Sequence, residues 1–527
     1  MAPRKKDVAA AADAPAGDVP AKRQAPTAAS KKRGAEKLDA GVSSPSKQSD
    51  LASQKGPAPA AEPSIPSAQA PVPKRRRVAA KGGLFPASRP ALDLFVFGSN
   101  PFGALGLGED ETVKYRPAAV EVEGVQFVQI ATGGMHTVAL SSTGEVWTWG
   151  VNDEGALGRI TQGGNCWESA PEDQKQDPSL PGKAALPGDI LVTSIAAGDG
   201  FTFALGTDGA VYGCGCFKDD VGGTSGFSPA AHTQKTFTSV LAPASSRDHV
   251  RSLLCGARHA VALTARGEIF TWGIASQGQL GRVPAFDSAT TALAPEVAFV
   301  PQPTPSLTSI LGSSPVVAIG CGSYSTFAIS KAGDVAGWGL NNSAQLGLPK
   351  ASDNANFHWQ PELLPSLVKI ASIKGGEQHT LAITKAGKVL SFGAPTYGML
   401  GRSGVDVACA NVLHPEPAEV EGLEGLTGAC VAAGTNVSAA CMSDGSLWLW
   451  GANVTFQLAK GDDDGDEIVP AKLRRTKTFG FRKVHQVCFG GQHAALLAGP
   501  PEVAATPAAA APAAVAVPAE AAAPAQQ

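Results

Sequence analysis

The sequence predicts an all-β protein, a seven-bladed β-propeller with disordered N- and C-terminal tails. Three observations predict it. First, a glycine that closes an aromatic or apolar strand-like stretch recurs at Gly98, Gly150, Gly215, Gly273, Gly339, Gly393 and Gly451, at intervals of 52, 65, 58, 66, 54 and 58 residues. Second, each interval holds short β-branched and aromatic runs separated by turn pairs such as Thr143-Gly144, the pattern of antiparallel hairpins. Third, the ends are complementary: the first copy, from Leu92, has only the second half of a unit, and the last, from Val484, only the first half. Units of this size bury their faces against neighbours, and closing them into a ring leaves few free strand edges.

In chain order, residues 1–90 come first. They hold 17 Lys and Arg against 7 Asp and Glu, although the whole chain has a net charge of −3. This segment is rich in Ala, Pro, Ser and Lys and too poor in apolar residues for a core, so it is expected to be a disordered basic tail. Within it, Lys74, Arg75, Arg76 and Arg77 form a compact run. That run reads as a nuclear localisation signal, recognised by a nuclear import receptor, and as a patch for DNA phosphate. Ser44 lies in Ser44-Pro45-Ser46-Lys47, which resembles a cyclin-dependent kinase site, and Ala2-Pro3-Arg4 resembles an N-terminal methylation signal once Met1 is removed. Residues 91–498 are the propeller. Residues 499–527 are Ala- and Pro-rich and are expected to be disordered, with no function read for them.

Nine cysteines without a C-x-x-C pair point to reduced thiols in a nucleus or cytosol rather than to disulfides. No apolar run reaches membrane-span length and no secretory signal opens the chain, so no membrane association is expected. The chain is read as complete in itself and as a monomer.

Candidate functional residues are those at which one repeat departs from its sisters. His136, His259, His379 and His493 share one slot in G-x-x-H-like turns. A shared slot is structural by default, and their wide spacing does not suit a metal. No nucleophile–base order, phosphate loop or paired carboxylate motif is found, so neither a cofactor, a metal nor covalent catalysis is expected. The third copy breaks the pattern: the N-x-x-G-x-L-G turn is replaced by Cys216-Phe217-Lys218-Asp219-Asp220-Val221-Gly222-Gly223. An exposed aromatic, a cation and two carboxylates on a hairpin-like tip would make a protruding binding element; repeat decay is the alternative. Asp199 is a second break, in a turn whose sisters are mostly neutral, and Arg258 and Gln378 vary the neighbouring slot. All three are expected on one rim of the ring, for protein recognition or merely as solvated turns. The acidic loop from Gly461, GDDDGDEI, lacks calcium-loop spacing and reads as solvated surface.

Gly133 to Arg159, GGMHTVALSSTGEVWTWGVNDEGALGR, resembles the second repeat of the regulator of chromosome condensation family, and GQLGRVP at Gly278 and CGSYSTFAIS at Cys321 are similar to it too. The likeness spans roughly residues 91–498. It implies a chromatin-bound guanine-nucleotide exchange factor for the small GTPase Ran, supporting nucleocytoplasmic transport and mitosis. It implies that Phe217, Lys218, Asp219 and Asp220 form the wedge pressed against the GTPase's phosphate-binding loop, in register with a family motif like S-F-R-D-N-N-G. It further implies a GTPase-facing rim of His136, Asn152, Asp153, Glu154, Asp199, Arg258, Gln378 and His493. The chain departs from the family at Arg258, where Asp is favoured, at Gln378, where His is favoured, and at Pro101, in place of an acidic residue. Residues 283–300 contain no Arg, whereas the family's loop there carries arginines for the nucleosome's acidic patch, so histone contacts by that route are not implied. The alternative is a chromatin-associated propeller scaffold with weak or no exchange activity. A plant-type UV-B photoreceptor would need G-W-R-H-T motifs, which are absent, and a ubiquitin ligase would need an appended catalytic domain.

Overall fold

The computed structural model describes residues 90–163, 169–218, 223–227, 232–243, 245, 248–282, 298–349, 356–409 and 411–501. The basic run Lys74–Arg77, Ala2, Ser44, Asp219, Asp220, most of the loop 283–300 and nearly all of both tails lie outside them.

The repeats fold as read. The described strands form seven four-stranded antiparallel sheets, arranged as a seven-bladed β-propeller with little helix, and one two-stranded sheet that pairs Phe217–Lys218 with Thr224–Ser225. In chain order, blades 1 to 6 span 127–183, 192–241, 250–303, 316–363, 370–419 and 428–472. Blade 7 is composite. Its inner strands are Val484–Phe489 and His493–Ala498, and its outer strands are Asp93–Ser99 and Val113–Val120. The two chain ends meet through pairs such as Phe95↔Leu496 and Gly98↔His493. Arg482 reinforces the closure by pairing with Asp93 and donating to the Gly499 carbonyl at 2.8 Å.

The second strand of each blade lies between two partners and between two neighbouring blades. Its residues are therefore almost all buried, as in His136–Ser141 and His259–Thr264, and small Ala alternates with Val, Leu or Ile so that facing blades interdigitate. The innermost strand has one unpaired edge on the ring axis. Two glutamines satisfy part of that edge: Gln129 exchanges both amide hydrogen bonds with the backbone of Ile195, at 3.0 and 3.2 Å, and Gln486 does so with Ile130, at 2.7 and 3.1 Å. Each side chain thus bridges one blade to the next.

The turn after the third strand joins neighbouring blades more firmly. In N-x-x-G-x-L-G the Asn carbonyl accepts from the Leu backbone N–H: Asn100–Leu105 at 2.7 Å, Asn152–Leu157 at 2.9 Å, Asn341–Leu346 at 3.0 Å and Asn453–Leu458 at 2.9 Å. The turn then offers one carbonyl to the following blade. Ala104 O accepts from Thr137 and from Trp149 Nε1, Gln279 O from Thr326 and Trp338 Nε1, and Met399 O from Ser438 and Trp450 Nε1. The last glycine of the motif makes room for the indole. Gly281 has φ +67°, and a Cβ there would lie 2.6 Å from Trp338 Nε1.

Blade 2 lacks this turn, and the consequence reaches the next blade. Trp272 Nε1 has no hydrogen-bond acceptor among the described residues. Its ring packs instead on an aromatic cluster with Phe203, at 5.3 Å between centroids. This difference makes a paired test. Trp338→Phe should destabilise the ring by about 1 kcal/mol more than Trp272→Phe, because only the former loses a hydrogen bond. Equal shifts in denaturant midpoint would refute the account.

Candidate functional site

One face of the ring gathers two kinds of loop: the turns after the innermost strands, which carry the G-x-x-H-like sequences, and the turns after the third strands. The first set is tied by backbone bonds between blades: Asp199 N to Ala257 O at 2.8 Å, Ala257 N to Ser323 O at 3.0 Å, Ser323 N to Gly376 O at 3.0 Å and Gly491 N to Gly134 O at 2.9 Å. Side chains beside these bonds have fixed roots on a rigid rim.

The rim carries a connected set of charges around blade 2. Lys218 pairs with Glu154 from the blade 1 turn, and Asp153 lies within electrostatic reach. That hydrogen bond with Glu154 is the chief reason the Lys218 ammonium titrates above its usual range. Asp199 lies close to Arg258, Glu377 and Lys218. Its carboxyl is raised to about 6, first by desolvation among the rim turns and then by Glu377, against the pull of Arg258 and Lys218. Asp199 is also open to water, which tempers the shift. Arg258 is half-buried, with its guanidinium 5.9 Å from the Tyr324 ring centroid. Asp153 is exposed, Glu154 and Gln378 are half-buried, and Pro101 is exposed beside Phe102, itself 53% exposed.

Three expectations are corrected. Phe217 is not an exposed tip: it is 0% exposed and packs against Phe201, Phe227 and Phe299 at 4.6, 5.5 and 5.9 Å between centroids. The reason lies in register. Phe217 follows Gly215 as Asn152 follows Gly150, so it occupies the inward slot that asparagine fills elsewhere. Asn152 is itself 4% exposed; it holds its own turn and donates to Arg159 O at 3.0 Å and Thr161 Oγ1 at 2.9 Å.

His136 and His493 do not face outward either; each is 1% exposed. Their ring nitrogens meet hydroxyls of the following blade, His136 Nε2 to Thr202 at 3.0 Å and His493 Nε2 to Thr137 at 2.9 Å. His259 with Thr326 at 2.9 Å and His379 with Ser438 at 2.7 Å repeat the contact. Each hydroxyl gives its proton to a turn carbonyl, as Thr202 does to Ala156 O at 2.8 Å, so the histidine must donate from Nε2. Burial lowers His136, His259 and His379 to about 3 and His493 to about 4.

The surviving rim is therefore Asp153, Glu154, Asp199, Lys218, Arg258 and Gln378. Sequence reasoning missed Glu377 and Tyr324. Glu377 stands in Gly376-Glu377-Gln378-His379 where Asp199 stands in its own turn, and that shared slot was the available signal. The arrangement presents both signs of charge on fixed backbone, which suits docking of a macromolecule with a patterned surface. Among the described residues no group of three or more His, Cys, Asp or Glu could hold a metal ion.

The family model for the RCC1-like domain matches residues 93–496. The chain is 34% identical over 414 residues to the Regulator of chromosome condensation of Xenopus laevis, covering 77% of this chain and 89% of that one. It is 28% identical over 433 residues to the Guanine nucleotide exchange factor SRM1 of Saccharomyces cerevisiae, covering 76% of this chain and 86% of that one. The crystal structure of Prp20p from Saccharomyces cerevisiae, described with its binding to Gsp1p and histones, superposes with a TM-score of 0.67 at 28% identity, covering 78% of this chain and 92% of that one. Yeast Prp20 bound to Kap60 gives a TM-score of 0.67 at 27% identity, covering 81% and 96%.

The buried histidines predict a pH dependence. Their folded values lie below the ordinary 6.5, so the unfolded chain takes up protons first as pH falls. Stability is full above about 6.5 and falls on acidification toward about 3, by up to ~1.4 kcal/mol per pH unit for each histidine. Asp199, raised in the fold, works in the opposite sense over a narrower range. The denaturant midpoint should drop between pH 7.5 and 5, and His259→Gln should reduce that drop while lowering stability at pH 7.5. A midpoint independent of pH would refute the neutral relay.

Proposed function

The chain belongs to the family of RCC1-like domains, and from that premise we propose that it is a guanine-nucleotide exchange factor for the small GTPase Ran, acting on chromatin in the nucleus. The observation that carries this reading is the charged rim around the broken blade, where Lys218, Glu154, Asp199, Arg258 and Glu377 meet on rigid backbone. The resemblance to an exchange factor and to a Gsp1p-binding propeller supports it.

Exchange makes and breaks no covalent bond. A GTPase holds its nucleotide through phosphate contacts and Mg²⁺. A rim that binds the nucleotide-free form more tightly than the loaded form lowers the barrier to release, by about 1.4 kcal/mol for each tenfold. In this reading Asp199 supplies docking, Lys218 and the segment that follows it through Asp219 and Asp220 reach the GTPase, and Phe217 anchors that segment in the core. The direction of exchange follows the cell's supply of GTP over GDP.

One observation favours the scaffold reading: Arg258 lies beside Asp199 and offsets its charge. Release of a fluorescent GDP analogue from Ran separates the two. Exchange predicts acceleration by orders of magnitude with the full chain, reduced about ten- to a hundredfold by Asp199→Ala, the loss of one charge-assisted contact. Binding without acceleration would establish the scaffold instead.

Chromatin association and nuclear import are proposed to rest on the basic run Lys74–Arg77. The Kap60-bound relative supports recognition by an import receptor. Replacing all four residues with Ala should flatten the log–log salt dependence of DNA binding by up to roughly 3–4. DNA binding with no salt dependence would exclude phosphate contacts by this run.

A further inference from the structure

The channel along the ring axis encloses about 390 Å³ and is bordered by the inner strands of all seven blades. Sulfur is concentrated there. Cys255, Cys321, Cys430 and Cys488 border the channel together with Lys374, whose ammonium acts on all four thiols. The rim chemistry uses none of them.

Cys430 has a cysteine directly across its own hairpin. It stands directly opposite Cys441 in the register of Gly428–Ala433 against Val437–Met442. Residues opposite one another on antiparallel strands share a face, with Cβ atoms about 4.5–5.5 Å apart, close to the roughly 3.5–4.5 Å of a disulfide. Both side chains belong to the core between blades 6 and 7, and both are free thiols. They differ in access. Cys441 is buried, whereas Cys430 is half-buried and reaches the channel wall.

Their chemistry divides in the same way. The hydrogen bond from Cys441 draws the Cys430 thiol below its ordinary range, burial opposes it and Lys374 helps, while Cys441 is pushed well up. Burial also raises Cys255, Cys321 and Cys488. A half-buried thiol at the channel wall, donating to the His485 carbonyl at 3.6 Å, beside one buried thiol is the arrangement of an attacking and a resolving cysteine.

We propose that Cys430 and Cys441 form a thiol modification site, in which a small peroxide entering the channel oxidises Cys430 and Cys441 then closes a disulfide across the two strands. Hydrogen peroxide is compact and uncharged, and a water-sized molecule takes up only about 30 Å³. The Cys430 sulfur attacks one peroxide oxygen. An S–O bond forms, the O–O bond breaks, and hydroxide leaves with the Cys430 proton as water. The Cys441 sulfur then attacks the Cys430 sulfur. An S–S bond forms, the S–O bond breaks, and hydroxide leaves with the Cys441 proton as a second water. Both sulfurs are oxidised and both peroxide oxygens reduced.

The test treats the folded full-length protein with hydrogen peroxide, alkylates the remaining thiols after denaturation and maps every cysteine by mass spectrometry. Cys409, half-buried on a surface loop, is the internal control for oxidant exposure. The expected result is joint loss of the free thiols at Cys430 and Cys441, one linked peptide pair joining them, and recovery with dithiothreitol. In Cys441→Ser the sulfenic acid at Cys430 should persist and be trapped by dimedone, whereas wild type gives no such adduct. Oxidation of Cys430 in wild type without linkage to Cys441 overturns the proposal. So do free thiols at both positions under treatment that oxidises Cys409.

Discussion

At three blade boundaries a shared carbonyl oxygen holds one blade to the next through a hydroxyl and an indole. Gln279 O, in the blade 3 turn, accepts from the Thr326 hydroxyl and the Trp338 indole of blade 4. The hydroxyl's only proton is then committed, so it can meet His259 only as an acceptor. His259 must therefore carry a proton on Nε2. Burial is what keeps the ring neutral, since the charged form would offer the same Nε2 proton. A charged imidazole there would face no counter-charge and would have to be held without water, at a cost of several kcal/mol. The same arrangement recurs where Ser438 joins Met399 O to His379. Turn, hydroxyl and histidine therefore constrain one another across the blade boundary, and a change in any one is felt in the next repeat.

That coupling explains what happens where a repeat decays. Blade 2 has no G-x-L-G turn to offer, and Trp272 of blade 3 loses the acceptor its sisters have. The space is filled by Phe201, Phe203, Phe217 and Phe227, whose edge-on and tilted contacts replace a directional bond with dispersion and apolar burial. Released from the turn, the chain after Phe217 can serve another purpose. Lys218 emerges at once on the rim and meets Glu154.

The blade count, the composite seventh blade and the hairpin turns were legible because each follows from local spacing and glycine placement. The burial of Asn152 and Phe217 was legible in principle, since both lie in the same register after Gly150 and Gly215. It was missed because polarity at Asn152 and the broken motif at Phe217 both suggest surface. The histidines were half understood. Their shared slot signalled a structural bond, but the inward direction depends on a Thr or Ser some 60 residues on, in the next blade, and a single repeat cannot reveal it. The grouping of Asp199 with Arg258, Glu377 and Lys218 was not legible by spacing alone, because these residues come from different blades and meet only when the ring closes.

The rim's charge pattern also limits what can bind it. Asp199 already has Arg258 and Lys218 nearby, so a partner's cation gains little there unless it takes the place of one of them or brings a carboxylate for the cation it displaces. Glu377 acts the other way, raising the value of a cation beside Asp199. A partner of uniform positive charge meets repulsion at Arg258 and attraction at Glu377 within one patch. Selectivity thus depends on matching the sequence of signs around the ring, and the backbone bonds between adjacent turns keep that sequence from rearranging to suit a poorer match.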